Sequence, residues 1–110
     1  MQAKSGDTTV FGQFQGPGDL PLRSSDHVVK VVWRMTGKGD LAIDIQSPLG
    51  SHETPTWGPE PHSSSSYDRP GDEWGTGIVF SDPGCWKLDF ARSVQGSATV
   101  WLEVLPPDAP

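Results

Sequence analysis

Cysteine is almost absent from this chain of 110 residues, since Cys85 is the only one. A single cysteine forms no intrachain disulfide, and no cysteine pair is present to build a structural zinc site. Long apolar runs are lacking too, because no stretch approaches the roughly 20 residues that a membrane-spanning helix needs. We therefore expect no direct membrane insertion by this chain.

Basic residues are also scarce. Eight Lys and Arg residues stand against 14 Asp and Glu residues, which gives a formal net charge of -6. Nucleic-acid binders normally carry a basic patch or stripe, so we expect no nucleic-acid partner. No nucleophile elbow, phosphate-binding loop or dinucleotide fingerprint is present, and no His or Met follows Cys85 to complete a blue-copper site. The sequence thus favours a non-enzymatic protein without a cofactor.

Glycine and proline are plentiful, with 13 and 11 residues, and they oppose long helices. Alternation of apolar and polar side chains is the dominant pattern. In the last such run Val100 and Leu102 face one way, and Trp101 faces the other. This period predicts strands at 8–15, 27–36, 41–47, 73–80, 85–91 and 98–105. We predict an all-β antiparallel sandwich of about six to seven strands, with a small open barrel as the alternative.

One domain is expected over residues 1–105, followed by a linker-like tail at 106–110. Within the domain, one apolar side of the predicted strands should form a common core. That core is predicted to contain Trp33, Ile43, Ile45, Trp86, Leu88, Val100 and Leu102.

The turn Phe80-Ser81-Asp82-Pro83-Gly84-Cys85-Trp86 resembles one found in uncharacterised extracytoplasmic domains of bacterial secreted proteins and lipoproteins. Those domains carry a Phe-x-x-Pro-Gly-Cys-Trp turn at the start of the penultimate strand, and the resemblance extends over residues 57–104. It implies an immunoglobulin-like sandwich and an exported location, secreted or tethered through an N-terminal segment outside these residues. It implies no activity. The first seven residues lack the apolar centre of a signal peptide, so a cytoplasmic location stays open.

The same turn has the spacing of the corner that opens strand F in immunoglobulin-like domains. An acidic turn residue, Asp82, is followed by glycine, then by Trp86, and two residues later by Leu88. In this sequence Trp86 replaces the usual tyrosine. We expect its ring to be buried while its indole N–H donates to a nearby carbonyl group.

Residues 48–72 read as a long Pro/Ser-rich loop with five prolines. We expect its aromatic residues to order it in part, around a short edge strand, and the alternative is a flexible insertion. Trp57, Tyr67 and Arg69 belong to it, and aromatic rings beside polar groups are typical of sugar- or peptide-binding surfaces. The alternative is that these rings only cover the end of the sandwich. His52 and His62 also belong to the loop and are the weak candidates for a metal site, although no fixed ligand spacing supports one.

The sequence therefore predicts a non-enzymatic, extracytoplasmic, immunoglobulin-like binding or accessory module, with an unknown protein or glycan as its partner. The first alternative is a carbohydrate- or peptide-binding domain whose ligand site is Trp57, Tyr67 and Arg69. The second is a small metal-binding protein that uses His52 and His62.

Overall fold

The computed structural model of the protein describes residues 2–5, 8–15, 22–62 and 71–107. Nine β-strands and no helix lie within these residues. The strands are β1 (Gln2–Ser5), β2 (Thr8–Gln15), β3 (Val29–Met35), β4 (Leu41–Gln46), β5 (His52–Glu53), β6 (Trp57–His62), β7 (Asp72–Ile78), β8 (Gly84–Arg92) and β9 (Ser97–Val104).

The strands form two antiparallel sheets that make a β-sandwich. One sheet has five strands in the order β1-β2-β3-β7-β6, and the other has four in the order β5-β4-β8-β9. The predicted all-β sandwich is thereby confirmed. Every strand predicted from alternation is present, with ends that differ from the prediction by two residues or fewer.

Three strands lie outside the six ranges predicted from alternation, and two of them fall in the segment that reads as a loop. β5 and β6 both lie between residues 48 and 72, so this segment contains two edge strands where one was expected, and the prediction of a loop is corrected there. Pro59 and Pro61 keep β6 from being predicted as a strand, because proline is rare within β-sheets. β6 is an edge strand, however, and a proline that faces away from the neighbouring strand loses no ladder hydrogen bond.

The core lies between the two sheets, and aromatic side chains dominate it. The Trp33 and Phe90 rings lie 4.7 Å apart, and Phe80 meets Trp86 edge-on at 5.3 Å. The Trp33 indole donates to Thr76 Oγ1 at 2.9 Å, and this hydroxyl in turn donates to the Val31 carbonyl oxygen at 2.9 Å. The buried polar atoms of this cluster are thereby satisfied, as a close-packed interior requires.

The predicted core is largely confirmed. Six of its seven members are buried, whereas Leu102 is only partly buried and packs against the edge of the cluster. The six buried members are Trp33, Ile43, Ile45, Trp86, Leu88 and Val100.

The corner before β8 has the predicted geometry. Trp86 is completely buried, and its indole Nε1 donates to the Asp82 carbonyl oxygen at 2.9 Å. Its neighbour Cys85 lies on the opposite side of the strand and is exposed. This hydrogen bond fixes the turn that leads the chain from one sheet into the other.

Arg92 closes one end of the core, where it joins the two sheets. Its guanidinium donates to the carbonyl oxygens of Gly39 and Met35 at 2.7 and 3.0 Å, and to Asp72 Oδ2 at 2.7 Å. It also stacks on the Trp74 ring, 4.6 Å from the centroid. Arg92 therefore has a structural role, because each of its three guanidinium nitrogens donates to one of these partners.

Candidate functional site

The predicted loop site is only partly within the described structure. Trp57 lies at the start of β6, while Tyr67 and Arg69 lie outside the described residues. The Trp57 ring rests on the backbone of Gly77, its partner across the strands, so that a Cβ atom at this position would overlap the indole. Trp57 is consequently partly buried. This packing suits a covering role for the ring, and the prediction of a ligand site around it remains a prediction.

The two candidate metal ligands belong to strands of different sheets. His52 is in β5 of the four-stranded sheet, and His62 is in β6 of the five-stranded sheet. His52 Nδ1 lies 2.9 Å from Asp44 Oδ2 on the neighbouring strand. Across the described residues, no group of three or more His, Cys, Asp or Glu side chains is arranged to hold a metal ion.

The outer surface of the four-stranded sheet is exposed and carries aromatic, acidic, basic and hydroxyl side chains. On β8 the side chains of Trp86, Leu88 and Phe90 enter the core, so the intervening residues face outward. On β9 the register places Trp101 opposite Lys87, and Thr99 opposite Asp89. We call this outer surface of the four-stranded sheet the Trp101 face. It comprises Asp44, Gln46, His52, Cys85, Lys87, Asp89, Thr99, Trp101 and Glu103.

Trp101 is the main apolar group of this face. Its side chain is 62% exposed, whereas Trp33, Trp74 and Trp86 are buried. Exposing a large ring to water has a free-energy cost that the fold does not require, since alternation would equally accept a polar residue here. The exposed indole leaves a large apolar surface that a ligand can contact.

The polar neighbours of Trp101 are held in place by one another. Lys87 Nζ lies 5.6 Å from the centroid of the Trp101 ring and 3.7 Å from Asp89 Oδ2. Thr99 Oγ1 donates to the other oxygen of the same carboxylate, Asp89 Oδ1, at 2.6 Å. These four side chains form a square on β8 and β9. Side chains fixed before a ligand arrives lose less conformational entropy on binding.

A second carboxylate lies beside this square. Asp44 on β4 is directly opposite Asp89, and like charges in that arrangement destabilise a sheet. His52 contacts Asp44, and Lys87 contacts Asp89, so each carboxylate has a partner that reduces the repulsion. Both carboxylates are about half exposed and can still accept hydrogen bonds from a ligand.

The sequence contains a signal for this face, although it predicts a different site. Alternation along β9 places the Trp101 side chain on one side of the strand and the apolar side chains of Val100 and Leu102 on the other. The sequence does not reveal that Lys87 and Asp89 lie beside Trp101, because that depends on the register between β8 and β9.

Comparisons with family models, with curated proteins and with solved structures find no match for this chain. No helix in the described ranges is long and apolar enough to cross a lipid bilayer.

Proposed function

We propose that this protein is a non-enzymatic binding module that recognises its partner with the Trp101 face. The observation that carries this proposal is the exposed indole of Trp101, set among polar side chains that already contact one another. Aromatic rings with a few placed polar groups are the usual components of recognition surfaces.

The proposal includes an immunoglobulin-like connectivity. In such domains strands A, B, E and D form one sheet, while C, F and G form the other, which additional strands next to C can extend. The observed order β2-β3-β7-β6 supports an A-B-E-D sheet, and β5-β4-β8-β9 supports a C-F-G sheet extended by β5. β1 is then an addition at the edge of the first sheet.

The corner at the start of β8 is a second support for this connectivity. In immunoglobulin domains a tyrosine at this place donates its hydroxyl to the backbone a few residues upstream. Here Trp86 donates its indole N–H to the carbonyl of Asp82. The exported location remains part of the proposal, and it is supported by the resemblance of the segment Phe80–Trp86.

Two of the sheet edges, β5 and β6, are poorly suited to recognition by strand addition. β5 has only two residues, and β6 contains Pro59 and Pro61, which provide no backbone donors. Beyond the end of β9, Leu105 is already bonded to the segment that contains Leu22 and Ser24. Short edges, prolines and covering segments discourage the addition of a foreign strand at β5, at β6 and at Leu105.

The test is a titration of isotope-labelled protein with pools of short peptides and of oligosaccharides, followed by amide chemical shifts. We expect shifts that cluster on β8 and β9 and disappear in the Trp101→Ala variant. The same titration of Trp57→Ala is the control. Shifts that cluster on β6 and disappear only in Trp57→Ala would instead support the loop site and contradict the proposal.

A further inference from the structure

We propose that the ligand of the Trp101 face is an uncharged glycan chain, one sugar ring of which stacks on the Trp101 indole. This inference rests on the proposed function, since it names the ligand class of the same face. The geometry that points to it is the square of Trp101, Lys87, Asp89 and Thr99, with Asp44 and His52 continuing the polar surface across the sheet.

The first argument concerns the shape of the ligand. The Trp101 ring offers a flat apolar surface, 62% exposed, in an open sheet. A ligand that fits must be apolar on one flat side and polar around its rim. A pyranose has this character, because its C–H groups lie on its two faces and its hydroxyl groups around its edge. Peptide side chains prefer pockets, and peptide backbones prefer strand edges, whereas the Trp101 ring lies on the outer surface of a sheet.

The second argument concerns charge. Asp44, Asp89 and Glu103 give the face three carboxylates, which repel a polyanion such as nucleic acid or a sulfated glycan. A cationic ligand would compete with Lys87 and His52, which already lie beside Asp89 and Asp44. Carboxylate oxygens and amide groups are suited to sugar hydroxyls. A hydroxyl donates a hydrogen bond to a carboxylate, and it can donate to or accept from an amide group. An uncharged polyol therefore complements the face.

The third argument concerns length. The register places His52, Gln46, Lys87 and Trp101 in one row across the four strands. Three inter-strand spacings make this row about 14 Å long. Such a row is longer than a single sugar ring, so we infer that the face binds a chain of several sugars along its length.

The experiment measures binding of three neutral β-linked hexasaccharides, built from glucose, N-acetylglucosamine and xylose, by isothermal titration calorimetry. We expect at least one to bind, with an affinity that added salt changes little, because no ion pair forms with the ligand. Trp101→Ala should weaken that binding about tenfold or more, as loss of a tryptophan at the centre of an interface does. Asp89→Asn should weaken it by a smaller factor.

Two controls match the key variant. Trp57→Ala removes another partly accessible tryptophan, and Leu49→Ala removes an exposed apolar side chain at a turn, 79% exposed. Both should bind as the wild type does. Far-ultraviolet circular dichroism of each variant establishes that it is folded before the affinities are compared.

Parallel titrations separate this inference from the function on which it rests. A sulfated hexasaccharide, a peptide pool and self-association by sedimentation are measured on the same variants. Failure of all neutral hexasaccharides to bind overturns the glycan inference. If peptide binding or self-association then depends on Trp101, the Trp101 face is still the recognition surface, but its ligand is not a glycan. Glycan binding that is lost in Trp57→Ala and kept in Trp101→Ala contradicts both proposals.

Discussion

Burial decides what each tryptophan contributes to stability, and two tryptophans of neighbouring strands illustrate the extremes. Trp86 is completely buried and donates to the Asp82 carbonyl, whereas Trp101 is 62% exposed. Trp86 lies on β8 and Trp101 on β9, which are paired strands. The two side chains are identical in chemistry and differ in their burial.

Trp86→Ala should therefore lower the free energy of unfolding by about 3–5 kcal/mol, as large-to-small changes in a core do. Trp101→Ala is the matched control and should change it by less than about 0.5 kcal/mol, as surface substitutions usually do. Urea titration followed by circular dichroism measures both values. An unchanged midpoint for Trp86→Ala would place this residue outside the core and contradict the structure.

Among the elements, β6 depends on a contact between tryptophan and glycine. Trp57 lies over Gly77 of β7, and the amide of Thr56 donates to the Gly77 carbonyl oxygen at 2.7 Å. The same pairing recurs inside the sandwich, where the Trp33 ring lies against Gly12 of β2. In both cases a glycine makes room for an aromatic ring on the neighbouring strand, a device also used to stabilise designed sheets.

The contact between Trp57 and Gly77 predicts strong coupling between the two positions. Gly77→Ala should destabilise the protein by about 1–3 kcal/mol, because the new methyl group displaces the indole. In the Trp57→Ala background the same change should cost less than about 1 kcal/mol, since the obstructing ring is gone. A double-mutant cycle by urea denaturation gives the coupling. Additive effects of the two changes would mean that the ring does not rest on this glycine.

Sequence patterns predict the strands of this protein better than they predict its surfaces. β4, β8 and β9 alternate cleanly because one side of each strand is buried, and burial of one side is what makes alternation visible. β5 has only two residues, too few to show alternation, and the prolines of β6 are typical of a loop. The sequence predicts Trp57 as a ligand contact because this residue lies in a segment that reads as a loop. Its packing on Gly77 depends on the pairing of β6 with β7, which the sequence does not reveal. The polar neighbours of Trp101 depend on register, which the sequence of one strand does not contain.

At the scale of the whole molecule, Arg92 holds the two sheets together at one end of the sandwich. Its side chain is 3% exposed, and it is the last inward-facing residue of β8. It reaches Met35 and Asp72 in the five-stranded sheet, and Gly39 in the turn that enters the four-stranded sheet. Its charge is only partly balanced inside the protein, because the Asp72 side chain is 66% exposed. The backbone carbonyl groups therefore matter as much as the ion pair.

This arrangement predicts that the shape of the guanidinium, and not its charge alone, stabilises the sandwich. Arg92→Met should lower the free energy of unfolding by about 2–4 kcal/mol, because it leaves the Met35 carbonyl without its charged donor. Arg92→Lys should recover only a minor part of that loss, since one ammonium group cannot reproduce a planar fork with separate partners. Asp72→Asn should cost less than about 1 kcal/mol, as expected for an exposed partner that water can solvate. Urea titration of the three variants measures these differences, and a lysine variant as stable as the wild type would show that charge alone is sufficient.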